Sequence, residues 1–299
     1  MSDYIIRGIE KNGKFKFVGA KTTELVNSAR NAHETSASAS AALGRALTAG
    51  ALMSTQLKNP DDSLTLIISG NGLGGNILVS ANNKGEIKGY IDNPKADLPS
   101  NRNNKLDVAG IVGNIGYVKT IMDLGMKEPY VGQSQIISGE IAEDIANYYL
   151  TSEQVNTAVA LGVLVDTDLS IINSGGYLIQ LLPDVNDEDI TKLEKSITSK
   201  PNVTDLMKDY EDFQELLTHL LEDFELEVLE KSEIEWKCNC SRERTIEMLK
   251  TIGIEEIESI LEEDGKAEVV CQFCNEQYQI TKEELEEILI EVKENHTNE

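Results

Sequence analysis

Chemistry in this 299-residue chain is concentrated in its four cysteines: Cys238 and Cys240 form a C-x-C pair, and thirty residues later Cys271 and Cys274 form a C-x-x-C pair. Two tight thiol pairs match the inventory of a structural zinc site, in which four thiolates complete a tetrahedron and leave no position open for a substrate. The same spacing permits a second chemistry. Zinc keeps each sulfur in the deprotonated form that oxidants attack. A sulfenic acid formed there finds a resolving thiol one or two residues away and closes a disulfide. A disulfide within C-x-C is a small, strained ring and is readily reduced again. Spacing alone favours inert structural zinc, because many zinc ribbons use two cysteine pairs. Lys237, Arg242 and Arg244 flank the first pair and are expected to offset part of the negative charge of a four-thiolate centre.

The elements that must position these residues are legible around them. Ile234-Glu235-Trp236 reads as a short strand delivering the first pair. Ser241 is an N-cap for a helix over 242–252, stopped by Gly253, and a second helix over 255–263 ends at Gly265. Residues 267–270 and 277–280 read as a hairpin carrying C-x-x-C in its turn, and Thr281-x-x-Glu284 is a capping box for a last helix. The segment holds few large apolar side chains, so it leans on its metal for stability.

Charge divides the chain. Residues 1–180 carry 15 Lys and Arg against 18 Asp and Glu, whereas 181–299 carry 12 against 34. Almost all of the net −25 therefore lies beyond residue 180. Such a field repels phosphate backbones and argues against a nucleic-acid partner. The start of the chain lacks the apolar run of a secretory signal, and the charge-poor stretch 35–57 carries Arg45 at its middle and is too polar to span a bilayer. A cytoplasmic setting without membrane attachment is expected, where reducing conditions favour metal ligation over standing disulfides.

Upstream, the patterning predicts an α+β fold: an N-terminal mixed β-sheet core with a buried helix, a helical linker, and a small C-terminal zinc-binding domain of helices plus a β-hairpin. The boundaries expected are 1–180 for the core, 181–232 for the linker and 233–299 for the zinc-binding domain. Asn12-Gly13 turns a first hairpin, and a helical pattern rich in Ala, Ser and Gly runs from Thr23 to Leu57. Strands follow at 64–69, 77–81, 86–91, 110–112, 116–123 and 131–138, then a helix over 139–150 capped by Ser138. Strands at 158–165 and 176–182 are apolar enough to be central. The glycine-rich stretch 70–76 resembles a phosphate loop, but strands rather than a helix come after it, so no nucleotide is expected. His33 with Ser36, Ser38 and Ser40, and the acids Glu140, Glu143 and Asp144, read as core-helix and helix-dipole residues rather than catalytic groups.

Beyond Pro183 a helix is expected over 187–197, then a second from about Thr204. In it Val203, Leu206, Met207, Tyr210, Phe213, Leu217, Leu220, Leu221 and Phe224 recur at three- and four-residue steps. This wide apolar stripe either packs permanently on the core or is a surface that can be covered and exposed.

The chain resembles the heat shock protein 33 family across essentially its whole length. The resemblance is carried by Cys238-x-Cys240-Ser241-Arg-Glu-Arg244 with Cys271-x-x-Cys274. It is supported in order by Leu43-Gly-Arg-Ala-Leu-Thr-Ala-Gly50, Lys105-Leu-Asp-Val108, Lys127-Glu-Pro-Tyr130, Ser138-Gly-Glu-Ile-Ala-Glu-Asp144, Leu161-Gly-Val-Leu-Val165 and Gly175-Gly-Tyr-Leu-Ile-Gln180. Leu73-Gly74 stands where many relatives have Pro-Leu, and Trp236 replaces a usual Phe. The resemblance implies a redox-regulated, ATP-independent holdase rather than an enzyme. In its reduced form Cys238, Cys240, Cys271 and Cys274 would hold one Zn²⁺ per chain. Oxidation would form the disulfides Cys238–Cys240 and Cys271–Cys274, release the metal, and unfold the switch and the linker. A homodimer would then bind unfolding client proteins, with the 203–224 stripe as candidate client surface. The competing readings are a zinc-ribbon adaptor with inert zinc, and a metallohydrolase, which a closed four-cysteine site does not support.

Overall fold

The computed structural model describes residues 2–101, 105–183 and 185–297. The chain divides into two units, Met1–Lys237 and Cys238–Glu299.

The first unit begins with a hairpin of β1 (Tyr4–Glu10) and β2 (Phe15–Lys21), turned at Gly13 with φ 74°. The expected helical run from Thr23 is two helices, α1 (Thr23–His33) and α2 (Ala37–Ser54). Glu34 adopts a left-handed φ of 48° between them, and the Ser36 hydroxyl caps α2 by accepting the Ala39 N–H at 3.1 Å. Three strands follow, β3 (Ser63–Gly70), β4 (Asn76–Asn82) and β5 (Glu86–Ile91). Residues 110–112, expected as a strand, belong instead to a short helix, α3 (Val108–Val112). The Asp107 side chain caps it by accepting the Gly110 N–H at 2.9 Å. The glycine-rich loop lies against α3, with Gly72 N–H donating to Val112 O at 2.9 Å; a Cβ on Gly72 would sit 2.3 Å from Ile111 O. Its glycines therefore serve close backbone packing.

Next come β6 (Gly116–Asp123), β7 (Tyr130–Gln135) and α4 (Ala142–Tyr148), which continues as a π-helical turn over Tyr149–Glu153. Ser138 does not cap this helix. Asp144 does that work by folding back to accept the N–H groups of Ile137, Ser138 and Ile141 at 2.8–3.0 Å. The unit continues through β8 (Thr157–Val165), β9 (Ile171–Leu181), α5 (Asp187–Thr198), α6 (Val203–Asp209), α7 (Phe213–Leu220), β10 (Leu226–Glu233) and β11 (Glu235–Trp236).

Two sheets result, ordered β10-β1-β2-β9-β8 and β11-β5-β4-β3-β6-β7. β8, expected to be central, is an edge strand, and β2 takes the middle of its sheet. Helix α2 packs against strands of both sheets, and every residue from Ser38 to Ser54 except Arg45 is buried. Small side chains make that close approach possible, and it explains the Ala/Ser/Gly composition.

The outer face of the first sheet carries a second apolar layer. Alternation sends Tyr4 and Ile6 of β1, Phe15 and Phe17 of β2, and Tyr177 and Ile179 of β9 to that face, where α6 and α7 cover them. The single helix expected over 204–224 is broken at 210–212, where Tyr210 turns extended and the Asp212 side chain caps α7. Strand β10, absent from the sequence reading, pairs antiparallel with β1.

The second unit contains α8 (Arg242–Lys250), α9 (Ile254–Glu263), β12 (Ala267–Val270), β13 (Gln277–Ile280) and α10 (Lys282–Thr297). Strands β12 and β13 form an antiparallel hairpin. Among the described residues its core is small: Leu249, Ile257, Ile280, Leu285, Ile288 and Val292 are the buried apolar side chains. The α+β architecture, with a buried helix and a terminal unit of helices plus a hairpin, matches the expectation.

Candidate metal centre

The turn between β12 and β13 is built by the backbone. Cys271 N–H donates to Glu276 O at 2.9 Å, Asn275 N–H donates to Cys271 O at 2.8 Å, and Asn275 accepts the left-handed φ of 58° that the turn requires. Facing it, the C-x-C segment is held from α8. Ser241 caps that helix through the Arg244 N–H at 3.3 Å, and the Arg244 guanidinium returns to Asn239 O at 2.8 Å. The capping box at the start of α10 is present, with Thr281 N–H on the Glu284 carboxylate at 2.8 Å and Glu284 N–H on the Thr281 hydroxyl at 3.4 Å. Arg242 bonds both oxygens of Glu284 at 2.6 and 2.7 Å, which with the Thr281 N–H holds that carboxyl below its ordinary range.

These elements bring all four free thiols together. Their sulfurs lie within 4.8 Å of one another, with Cys238–Cys271 at 3.7 Å and Cys240–Cys274 at 3.3 Å. Thiolates at about 2.3 Å from a tetrahedral zinc ion stand about 3.8 Å apart, so the cluster fits that ion in donor type, number and spacing. The two short distances run between the motifs, and the cluster as a whole does not select one disulfide pairing.

The sulfurs are not equivalent. Burial pushes the Cys238 and Cys274 thiols up, and neighbouring cysteines add to it. Partial burial acts on Cys240 in the same direction, but the Tyr278 hydroxyl donates to its sulfur at 3.2 Å and, with the adjacent thiols, brings its pKa below the ordinary value. That hydrogen bond in turn raises the Tyr278 phenol. A cation is what such a set needs to release its remaining protons.

The expected charge compensation takes a different form. Arg242 is committed to Glu284, Arg244 to a backbone carbonyl, and Lys237, in the first unit, to Glu86 and Glu235. Tyr278 escaped the sequence reading. Its signal was present, since it lies four residues past Cys274 on a strand whose alternation places it on the face of buried Ile280.

The remaining candidates are structural. His33 is buried with its ring edge-on to Trp236, centroids 6.2 Å apart. Ser38 bonds Leu98 O at 3.3 Å, and Ser40 bonds Thr35 at 2.6 Å. Glu140 pairs with Arg45 at 2.6 Å. Of the apolar stripe, Val203, Leu206, Met207, Phe213, Leu217, Leu220 and Leu221 are buried, and Tyr210 and Phe224 are partly buried against the same cluster. In this conformation the stripe is covered.

Fold and site together define an α+β protein with a small C-terminal unit whose four gathered cysteines have the number and spacing to hold a metal ion. The chain belongs to the Hsp33 protein family, which matches residues 3–281. It is 43% identical over 293 residues to the 33 kDa chaperonin of Caldanaerobacter subterraneus subsp. tengcongensis, covering 98% of this chain and 100% of that one. It is 42% identical over 296 residues to the 33 kDa chaperonin of Clostridium acetobutylicum, covering 99% and 100%. The crystal structure of the 33 kDa chaperonin from Thermotoga maritima, described as a heat shock protein 33 homolog, superposes with a TM-score of 0.91 at 36% identity, over 98% of this chain and 100% of that one. This kinship supports a chaperone function.

Proposed function

We propose that the protein is a redox-regulated, ATP-independent holdase whose four-cysteine module keeps an apolar surface covered until it is oxidised. The observation that carries the reading is the gathering of all four sulfurs in a unit with only a small apolar core of its own. A zinc ion on Cys238, Cys240, Cys271 and Cys274 would keep them as thiolates and cross-link the C-x-C segment to the hairpin.

The chemistry of the residues then follows. A thiolate sulfur attacks one oxygen of a peroxide; an S–O bond forms, the O–O bond breaks and hydroxide leaves. A neighbouring thiolate attacks the sulfenic sulfur, the S–S bond forms and a second hydroxide departs. Each pair gives up two electrons to one peroxide. Family resemblance assigns the products as Cys238–Cys240 and Cys271–Cys274, which leave the module no thiolate donor. A unit with so small a core then loses its fold.

The module is continuous in sequence with β11 and β10, and among the described residues β10 pairs only with β1, so loosening has a short covalent route back to the 203–224 layer. Uncovering that layer would present Val203, Leu206, Met207, Tyr210, Phe213, Leu217, Leu220, Leu221 and Phe224, with their seat on the sheet, to the apolar segments of unfolding clients. A homodimer of the oxidised form, a cytoplasmic setting, and independence of nucleotide and nucleic acid complete the proposal. Residues 1–180, 181–232 and 233–299 act in it as core, linker and switch.

The test treats the reduced, zinc-loaded chain with peroxide at elevated temperature while zinc release, free thiols and light scattering of an aggregating client are followed together. The proposal expects four thiols and the zinc to be lost as aggregation is suppressed. Loss of thiols and zinc without suppression would refute the holdase, and thiols resistant to peroxide would make the zinc merely structural.

A further inference from the structure

We infer that Tyr278 is a positioning residue of the thiolate site: its hydroxyl, donated to Cys240, damps the nucleophilicity of that one sulfur and ties the C-x-C segment to the hairpin independently of the metal. The inference deepens the redox reading and rests on it for its biological meaning.

Three observations support it. The hydroxyl lies 3.2 Å from Cys240 Sγ, within range for a hydrogen bond to sulfur. Its placement is fixed by the strand, because Tyr278 pairs with Val269 across the hairpin and shares its face with Ile280, which is 1% exposed. Apart from the neighbouring thiols, the donors serving Cys238 and Cys274 are backbone N–H groups, of Cys240 and Glu276. Cys240 thus receives a side-chain donor that a single substitution removes.

The consequence follows from thiolate chemistry. Once all four sulfurs are thiolates, the thiolate fraction no longer distinguishes them, and intrinsic nucleophilicity, which grows with electron density on sulfur, sets the rate. A hydrogen bond donated to a charged acceptor withdraws that density and strengthens the local structure. Partners of metal ligands commonly tune affinity and reactivity in this way.

The experiment compares wild type, Tyr278→Phe and Val269→Ala as full-length, reduced, zinc-loaded chains. The Phe variant keeps the ring and removes the donor. The Ala variant loosens the hairpin opposite Tyr278 and keeps the donor. Alkylation by iodoacetamide is followed by mass spectrometry, since trypsin isolates Cys238 and Cys240 on one peptide, 238–242, and Cys271 and Cys274 on another, 267–282. Zinc transfer to a chelator is read in parallel.

Tyr278→Phe is expected to speed alkylation of Cys240 by about threefold to tenfold relative to Cys271 and Cys274, and to speed zinc transfer by roughly tenfold. Val269→Ala is expected to leave the ratio between the peptides unchanged. Equal acceleration of both peptides in Tyr278→Phe, or no change, would overturn the inference. A peroxide arm separates the two proposals: if peroxide spares every thiol of the wild type, the redox reading fails, while alkylation still decides the role of Tyr278.

Discussion

The backbone N–H of Phe213 donates to the buried hydroxyl of Tyr4 at 2.8 Å, so the first residue of α7 is tethered to the first strand of the sheet it covers. Burial, together with the neighbouring Asp212 carboxylate, pushes the Tyr4 phenol up to about 12, and the Lys231 ammonium sits 3.8 Å over its ring. Tyr4→Phe removes the acceptor and leaves a buried N–H without a partner, at a cost of about 1–2 kcal/mol. Amides over 213–220 should then exchange faster in deuterated solvent while those of β3 and β6 keep their protection. Unchanged exchange in α7 would show that apolar packing alone holds the layer.

The seat of that layer is cut by glycine. A Cβ on Gly19 would meet Leu217 Cδ1 at 2.8 Å and Phe213 Cδ1 at 2.9 Å. Gly19→Val should therefore overpack the interface, destabilise the layer by about 1–3 kcal/mol, and raise binding of a fluorescent apolar dye in the reduced, zinc-loaded protein. Dye binding at the wild-type level, with the variant folded, would separate this face from the surface that oxidation uncovers.

Removing one ligand should weaken the centre without abolishing the first unit. For Cys271→Ser, zinc retained against a competing chelator is expected to fall at least tenfold, a loss of about 1.4 kcal/mol or more in binding free energy. Circular dichroism should lose signal from the second unit only. Wild-type zinc retention would remove Cys271 from the ligand set.

A pH dependence is built in at Asp3. Burial raises its carboxyl from 3.8 to about 6, outweighing the hydrogen bond it accepts from Leu25 N–H at 2.7 Å, and Oδ1 has no hydrogen-bond partner among the described residues. A carboxyl raised by folding stabilises the fold below its unfolded pKa, and that contribution is lost as pH rises through the folded value. Asp3→Asn keeps an acceptor for Leu25 and removes the charge. Its stability relative to wild type in urea should increase between pH 4 and pH 7 by up to roughly 3 kcal/mol. Metal loss at low pH is common to both proteins and cancels in the difference; a flat difference would show that Asp3 titrates normally.

Local signals explain what could be read from the sequence. The cysteine pairs, the Ser241 cap and the Thr281–Glu284 capping box are defined within a few residues, and all are formed in the structure. What escaped depends on distant partners. Residues 110–112 are apolar and short, and only the Asp107 cap and the glycine loop across them make a helix rather than a strand. The helical period of 204–224 runs through residues 210–212, where an Asp212 cap and the Tyr4 hydroxyl start a new helix. Strand β10 is half charged, and only Leu226 and Val228 at its start give it a short apolar face; its pairing with β1 places Arg7 opposite Glu230. Tyr278 looked like an ordinary strand residue until the fold put a sulfur beside its hydroxyl.

In the proposed switch, oxidation of four cysteines in the second unit uncovers an apolar layer in the first. Hydrogen exchange over 203–224 tests it most directly, compared between the reduced, zinc-loaded chain, the same chain after peroxide, and the oxidised chain returned to thiols and zinc. Protection there should be lost with the four thiols and regained on reduction, while that of β3, β4 and β6 stays unchanged throughout. Four thiols oxidised with 203–224 still protected would contradict it.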